Sequence, residues 1–129
     1  MIPKFRAWHK TWEEMGRVGE IRFDLDGSVS VVLFKGNYLD VSGPREKIIF
    51  MQSTGLKDKN GKEIFEKDIL DYNGRKVIVK WHGSYACFIY EFVDELKNRT
   101  AEWQPLYLAY YKFEIIGNSL ENPEMLEVE

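Results

Sequence analysis

The sequence of 129 residues has little of what several protein classes require. It contains one cysteine, Cys87, which excludes an internal disulfide, and it opens without the basic and apolar regions of a secretory signal. Its longest apolar runs, such as Val31 to Phe34, fall far short of the ~20 residues that cross a bilayer. Together these absences predict a soluble protein of the cytoplasm.

Side chains that carry chemistry are equally scarce. Cys87, His9 and His82 are too few for a structural zinc site of the usual composition. His82 and Ser84 lie two residues apart in a predicted turn, where such side chains rarely meet, and a lone cysteine in an apolar strand more often packs than reacts. The acidic pairs sit in polar turns, without the desolvation that acid–base catalysis uses. We expect no cofactor, no metal and no catalytic residue, and hence a protein that is not an enzyme.

Basic residues are missing from one part of the chain. Residues 114–129 hold five glutamates and no lysine or arginine, whereas residues 1–113 hold 18 basic and 16 acidic residues. The whole chain has a net charge of -3 and a pI near 5.5. It therefore lacks the excess of positive charge that is typical of a nucleic-acid binder. The weakly basic start and the acidic end either attract one another, within a chain or between copies, or are simply solvated.

Alternating apolar and polar residues indicate β-strands through most of the chain. The run EIRFDLDGSVSVVLF predicts a hairpin over residues 20–34 with a two-residue type I′ turn at Asp26-Gly27. Asn73-Gly74 predicts a second hairpin, in which Trp81 shares the buried face of its strand with two valines. Further strands are predicted at KIIFMQS, DILDY, ACFIYEFV and KFEIIGN.

Helical signals are few. Pro105 starts or breaks any helix nearby, and the run Asn122, Pro123 and Glu124 predicts a short C-terminal helix at about 122–128. We therefore predict a mainly β fold, a barrel of about five or six strands with one or two short helices. Since no composition shift marks a boundary, we expect one domain over 1–129, with an N-terminal hairpin region at about 1–47 and a barrel core at about 48–120.

The charged stretch KDKNGKE within residues 51–70 looks most like a site. A calcium loop counted from Asp58 fails, because glycine falls fourth and Leu70 occupies the position of the ligating glutamate. A phosphate loop fails as well, because Gly61-Lys62 is followed by glutamate and not by serine or threonine. The stretch is therefore interpreted as a tight turn at Asn60-Gly61, with its charges on the outside.

Three collinear motifs carry a family resemblance: IPKFRAWHKTWEEM, MQSTGLKDKNGKEIFEKDIL and FEIIGNSLENPEML. With them, nearly the whole chain resembles the YopX family of small bacteriophage and prophage proteins. The resemblance implies an SH3-like pseudo-barrel and a home in phages of Gram-positive bacteria, and it carries over no catalytic residues. The chain departs from the family at Lys67, where glycine is common, so the resemblance leaves open whether this turn has a positive φ.

Aromatic residues are abundant, at 15% of the chain. Most are expected in the core, but the run FRAWHKTW interleaves aromatic and basic side chains. Such a patch is consistent with core and edge-strand packing, with a protein interface, or with base stacking on single-stranded nucleic acid. As candidate binding residues we take Arg6, Trp8, His9 and Trp12.

Two hypotheses for the function follow. The first is a non-enzymatic phage accessory protein that binds protein, either a second copy of itself in a homo-oligomer or a host factor, in the host bacterial cytoplasm. The alternative is a nucleic-acid-binding SH3-like barrel, which is less favoured because the chain is acidic overall. We expect no membrane partner.

Overall fold

The computed structural model describes residues 4–35, 40–43, 47–96 and 102–127. These residues form two antiparallel sheets. The strands are β1 (Phe5–His9), β2 (Glu14–Phe23), β3 (Val29–Lys35), β4 (Asp40–Gly43), β5 (Ile48–Lys57), β6 (Glu63–Phe65), β7 (Asp68–Tyr72), β8 (Arg75–His82), β9 (Cys87–Phe92), β10 (Trp103–Pro105) and β11 (Glu114–Asn118). The mainly β prediction is confirmed.

The chain divides into two compact units, residues 1–52 and 53–129. In the first unit the strand order is β4-β3-β2-β1-β5, so β1 pairs with a neighbour on each side. Of the alternatives for the N-terminal patch, core packing fits Ala7 and His9, which are buried, whereas β1 is an inner strand and not an edge strand. A small core fills one face of this sheet, formed by Ala7, Val32 and Ile48 with Val18 and Phe50 packed against them.

The second unit contains the larger core. Its five-stranded sheet has the order β10-β9-β8-β7-β11, and the second half of β5 pairs with β6. Alternate side chains of β7 and β8 point into the core, as period-two alternation requires. Six fully buried residues form its centre: Ile64, Leu70, Val77, Val79, Leu106 and Phe113.

The strands of the described residues form two open sheets and no closed barrel, contrary to the prediction. Closure needs the two outer strands of a sheet to pair with each other. In the five-stranded sheet one outer strand ends at Pro105, which has no N–H to donate, and the other is held by the turn at Asp58. The SH3-like character is likewise not established, and the single-domain organisation stays a prediction.

Helical structure in the described residues is limited to short 3-10 turns. The C-terminal helix predicted at about 122–128 is a 3-10 turn at Pro123–Leu126, and residue 128 lies outside the described residues. Asn122 does not cap it with its side chain; its Oδ1 accepts a hydrogen bond from the Asn118 N–H at 3.2 Å. The other helical segment, near Pro105, consists of turns at Val93–Glu95, Leu106–Leu108 and Tyr110–Lys112, with residues 97–101 outside the described part. None of the described helices is long and apolar enough to cross a membrane.

The two predicted hairpins form, but with different turns. Asn73 and Gly74 have φ angles of 50° and 87°, as the two-residue type I′ turn requires. In the other hairpin β2 ends at Phe23 and β3 begins at Val29, so the loop is longer than predicted. Of its central residues only Gly27 has a positive φ, because Asp26 instead accepts hydrogen bonds from the N–H and hydroxyl of Ser28.

Lys67 adopts a left-handed conformation between β6 and β7, with a φ of 69°. Its N–H donates to the Val79 carbonyl and its own carbonyl accepts from the Ser119 N–H, both at 2.9 Å. The turn thus has a positive φ even though lysine replaces the glycine that the resemblance implies. These two hydrogen bonds hold Lys67 in the left-handed conformation. That conformation costs a residue with a Cβ about 1–2 kcal/mol relative to the right-handed one.

Candidate functional site

The residues predicted to form an N-terminal binding patch do not share one surface. Arg6 and Trp8 alternate along β1 with Ala7 and His9, so the two pairs project from opposite faces of the sheet. Ala7 and His9 are buried, whereas Arg6 and Trp8 are half-buried. Binding by these residues stays a prediction, and the fold divides them between two faces.

Trp12 lies in the turn after β1 and is paired with His9. Their rings are stacked, with centroids 4.4 Å apart and an interplanar angle of 13°. The backbone N–H of Trp12 donates to His9 Nδ1 at 3.1 Å, and the Trp12 residue as a whole is 60% exposed. The structure therefore brings these two predicted residues together and orders an exposed indole.

The stretch KDKNGKE forms a turn, as predicted, but Asp58 lies inside the turn and not on its outside. Asp58 is buried, and its Oδ1 accepts from the N–H groups of Asn60 and Lys62, both at 2.9 Å, while Oδ2 accepts from the Ile115 N–H at 3.0 Å. Burial raises the pKa of the Asp58 carboxyl, but these backbone hydrogen bonds outweigh burial and lower that pKa below its ordinary value of 3.8. The carboxylate thus ties the turn to β11, which is a structural role.

Aromatic side chains surround the end of the β8–β9 hairpin. Trp81 and Phe88 occupy paired positions and pack with their ring centroids 4.9 Å apart. On the opposite face, His82 contacts Tyr85 at 4.9 Å and Trp103 of β10 at 4.7 Å, and the last two rings lie 5.0 Å apart. We call these five residues the hairpin cluster.

Members of the hairpin cluster are both exposed and ordered. Trp81 is 49% exposed and Tyr85 is 66% exposed, yet each ring is held by at least one aromatic neighbour. Phe88 also packs against the buried core of the second unit, which anchors the cluster from below. Ordered aromatic rings bind with a small loss of side-chain entropy, so both faces at the end of this hairpin are suited to recognition.

The sequence signals for the hairpin cluster were incomplete. Trp81 was expected in the core with Val77 and Val79, and this is wrong, because β8 continues beyond Ile78, its last residue paired with β7. Trp103 lies in a strand of three residues, too short to show a period. Tyr85 in the turn WHGSY was the one sequence signal for an exposed aromatic residue here. A large aromatic side chain in a glycine-containing turn is not part of the alternating pattern that buries strand residues.

The cluster offers contact area and few reactive groups. His82 Nδ1 is buried and has no hydrogen-bond partner among the described residues, so it makes no bond to Ser84 there. Ser84 lies in the hairpin loop, as predicted, and is exposed. Within the described part of the chain, no three His, Cys, Asp or Glu side chains are grouped so as to hold a metal ion.

Comparison with known proteins finds similarity over nearly the whole chain. A family model described as YopX protein matches residues 4–127. The crystal structure of protein EF1440 from Enterococcus faecalis is similar, with 32% sequence identity, a TM-score of 0.67, and coverage of 98% of this chain and 99% of that chain. No curated protein matches the chain.

Proposed function

Because the chain belongs to the YopX family, we propose that it is a non-enzymatic accessory protein of a bacteriophage or prophage that binds another protein in the bacterial cytoplasm. The partner is a host factor or a second copy of the chain. The function is recognition, and no bond is made or broken.

One observation carries this proposal: the hairpin cluster exposes large aromatic rings in fixed positions. Trp and Tyr are enriched among the residues that dominate the binding energy of protein interfaces. At the end of the β8–β9 hairpin, the exposed ring of Trp81 packs on the less exposed Phe88 on one face, and the exposed ring of Tyr85 packs on the less exposed Trp103 on the other. The net charge of -3 also favours a protein partner over the phosphate backbone of a nucleic acid.

The test compares two tyrosines with similar exposure. Tyr85 belongs to the hairpin cluster, whereas Tyr107, 57% exposed, lies outside it in a 3-10 turn. We expect Tyr85→Ser to raise the Kd about tenfold or more, as for a residue worth above ~1.4 kcal/mol, either for self-association measured by light scattering over a concentration series or for a defined protein captured from a Gram-positive lysate. Tyr107→Ser should change neither. A wild-type protein that is a strict monomer and captures nothing contradicts the proposal.

Nucleic-acid binding is the second candidate, and it depends on Trp12. Its ordered and exposed indole is a surface on which a base can stack, and Arg6 and Lys10 lie near it in sequence. The test is a mobility-shift assay with single- and double-stranded DNA and RNA at low salt, where counterion release favours binding most. Binding that is lost in Trp12→Ala supports this function, and no shift at low salt excludes it.

A further inference from the structure

We propose that a cavity beside the hairpin cluster binds a carboxylate of the protein partner, on an acidic residue next to an apolar one. This inference rests on the proposed function, since it names the chemistry of the partner. The cavity measures about 430 Å³, within the range of about 300–1,000 Å³ typical of ligand sites. It is large enough for a segment of two residues.

The cavity arises from the unequal lengths of neighbouring strands. β7 begins at Asp68 and pairs with β8 as far as Ile78, but β8 continues to His82. On the other side, β11 runs to Asn118 and leads into Ser119. The turn at Lys67 closes the gap, because its backbone is hydrogen-bonded to Val79 on one side and Ser119 on the other.

The lining combines an apolar wall with charged side chains and a hydroxyl. Ile78, Val79 and the half-exposed indole of Trp81 supply the apolar part, and the polar part consists of Glu66, Lys67, Lys80 and Ser119. The Lys67 ammonium has no hydrogen-bond or ion-pair partner among the residues that the structure describes, in contrast to Lys80, which pairs with Glu91 at 3.2 Å. An unpaired ammonium and an indole that line the same cavity complement an anion that carries an apolar neighbour.

The charge of the lining favours a carboxylate over a phosphate. Glu66 also lines the cavity, and its charge offsets that of one of the two lysines, Lys67 and Lys80. Doubling the charge of a bound anion doubles its attraction to the remaining cation, but the cost of desolvating the anion rises with the square of its charge. A carboxylate can pair with Lys67 and accept from Ser119 while an adjoining apolar side chain contacts Trp81. Trp81 belongs to the hairpin cluster as well, so the cavity adjoins the proposed interface on the face that carries Trp81.

The left-handed backbone at Lys67 sets a lysine, and not a glycine, at the edge of this cavity. Non-glycine residues at positive φ concentrate at sites where a side chain has a task. Glycine would meet the backbone requirement of the turn at lower cost, but it would place no cation in the cavity.

The experiment titrates the full-length ¹⁵N-labelled protein with N-acetyl-Asp-Leu-amide, followed by NMR shifts of the Trp81 indole N–H and the Ser119 amide. We expect shifts at both positions, no comparable shifts with N-acetyl-Asn-Leu-amide, and affinity about fivefold weaker in Lys67→Met, as for a partly exposed ion pair. Lys59→Met is the matched control, since Lys59 pairs with Glu114 at 3.8 Å and does not line the cavity.

Three results would overturn the proposal: equal shifts with the asparagine peptide, an unchanged affinity in Lys67→Met, or stronger shifts with inorganic phosphate than with the aspartate peptide. A dispersed spectrum of Lys67→Met shows that the variant is folded. A negative peptide titration would contradict the carboxylate site but not the proposed aromatic interface. A negative Tyr85→Ser comparison would contradict the aromatic interface whether or not the peptide binds.

Discussion

At the scale of single residues, Lys67 combines a poor backbone conformation with a defined place in the fold. Its φ of 69° is one that glycine adopts at little cost. We expect Lys67→Gly to raise the free energy of unfolding by about 0.5–1 kcal/mol, because relief of the left-handed strain exceeds the added entropy of the unfolded chain. Urea denaturation followed by tryptophan fluorescence measures the change.

Lys67→Ala is the control for this comparison. It removes the same charge and keeps a Cβ, so its stability should stay within about 0.5 kcal/mol of the wild type. An equal gain in both variants would assign the effect to the lost charge and contradict the backbone explanation.

Asp58 is the second residue with a definite energetic role. Its carboxylate is the acceptor for three backbone N–H groups, and Asp58→Ala leaves them without that acceptor. We expect a loss of about 3 kcal/mol in the free energy of unfolding, as for buried donors without a partner, and a smaller loss in Asp58→Asn, which keeps one oxygen acceptor. Urea denaturation at pH 7 measures both variants.

The same carboxylate makes stability depend on pH. Because the folded-state pKa of Asp58 is lowered below 3.8, its contribution is fully present above that value and is lost as the pH falls through the folded-state pKa. Denaturation curves between pH 6 and pH 2 should show a shallower decline in Asp58→Asn than in the wild type. Parallel curves would contradict the account of Asp58.

Sequence reasoning at this scale found the turn but not the task of its aspartate. Asn60-Gly61 predicted the turn correctly, because a local preference for positive φ at glycine decided it, and Gly61 has a φ of 81°. The Asp58 contact to Ile115 joins residues 57 positions apart, and no local pattern encodes such a contact. For the same reason the stacking of Trp12 on His9, three positions apart, was within reach, whereas Trp103 beside His82 was not.

At the scale of elements, β11 and the C-terminal 3-10 turn fit together through a glycine. A Cβ built on Gly117 would lie 2.5 Å from Asn122 Oδ1 and 3.1 Å from Met125 Sδ. Gly117 also follows the irregularity in the pairing of β11 with β7. We expect Gly117→Ala to lower the free energy of unfolding by about 1–3 kcal/mol, because it overpacks this contact.

A double-mutant cycle separates this clash from a simple strand preference. Asn122→Ala removes the nearer of the two atoms, so adding it to Gly117→Ala should cost less than the sum of the two single variants. Strict additivity in thermal unfolding would show that the steric contact does not cause the loss.

Strand positions were largely predictable, and their assembly was not. Alternation located β5, β7, β8, β9 and β11, because each is long enough to show a period of two. β6 and β10 are three residues long, too short to be recognised by their alternation. The inner position of β1 was also not predicted, because it depends on pairing with β5 some forty residues later. The predicted barrel failed for the same reason: closure is decided by which outer strands meet, a non-local property.

At the scale of the whole molecule, the larger core and the ordered aromatic surface belong to the same unit. Phe88 packs on that core, and Trp81 packs on Phe88. The exposed Trp81 ring is therefore held in place by contact with the buried core through Phe88. The candidate patch foreseen from the sequence lay in the other unit, because interleaved cations and aromatics are visible in a linear sequence whereas the exposure of a strand end is not. We therefore propose that the protein recognises a protein partner through the end of the β8–β9 hairpin.

Site-specific photocrosslinking in a Gram-positive host tests this claim most directly. The photoreactive residue p-benzoylphenylalanine replaces Tyr85 in the hairpin cluster, or Leu25 in the exposed β2–β3 loop of the other unit as the control. We predict a discrete covalent adduct with one protein, either a host factor or a second copy, from position 85 and none from position 25. Absence of an adduct at position 85, or the same adducts from both positions, would contradict the account.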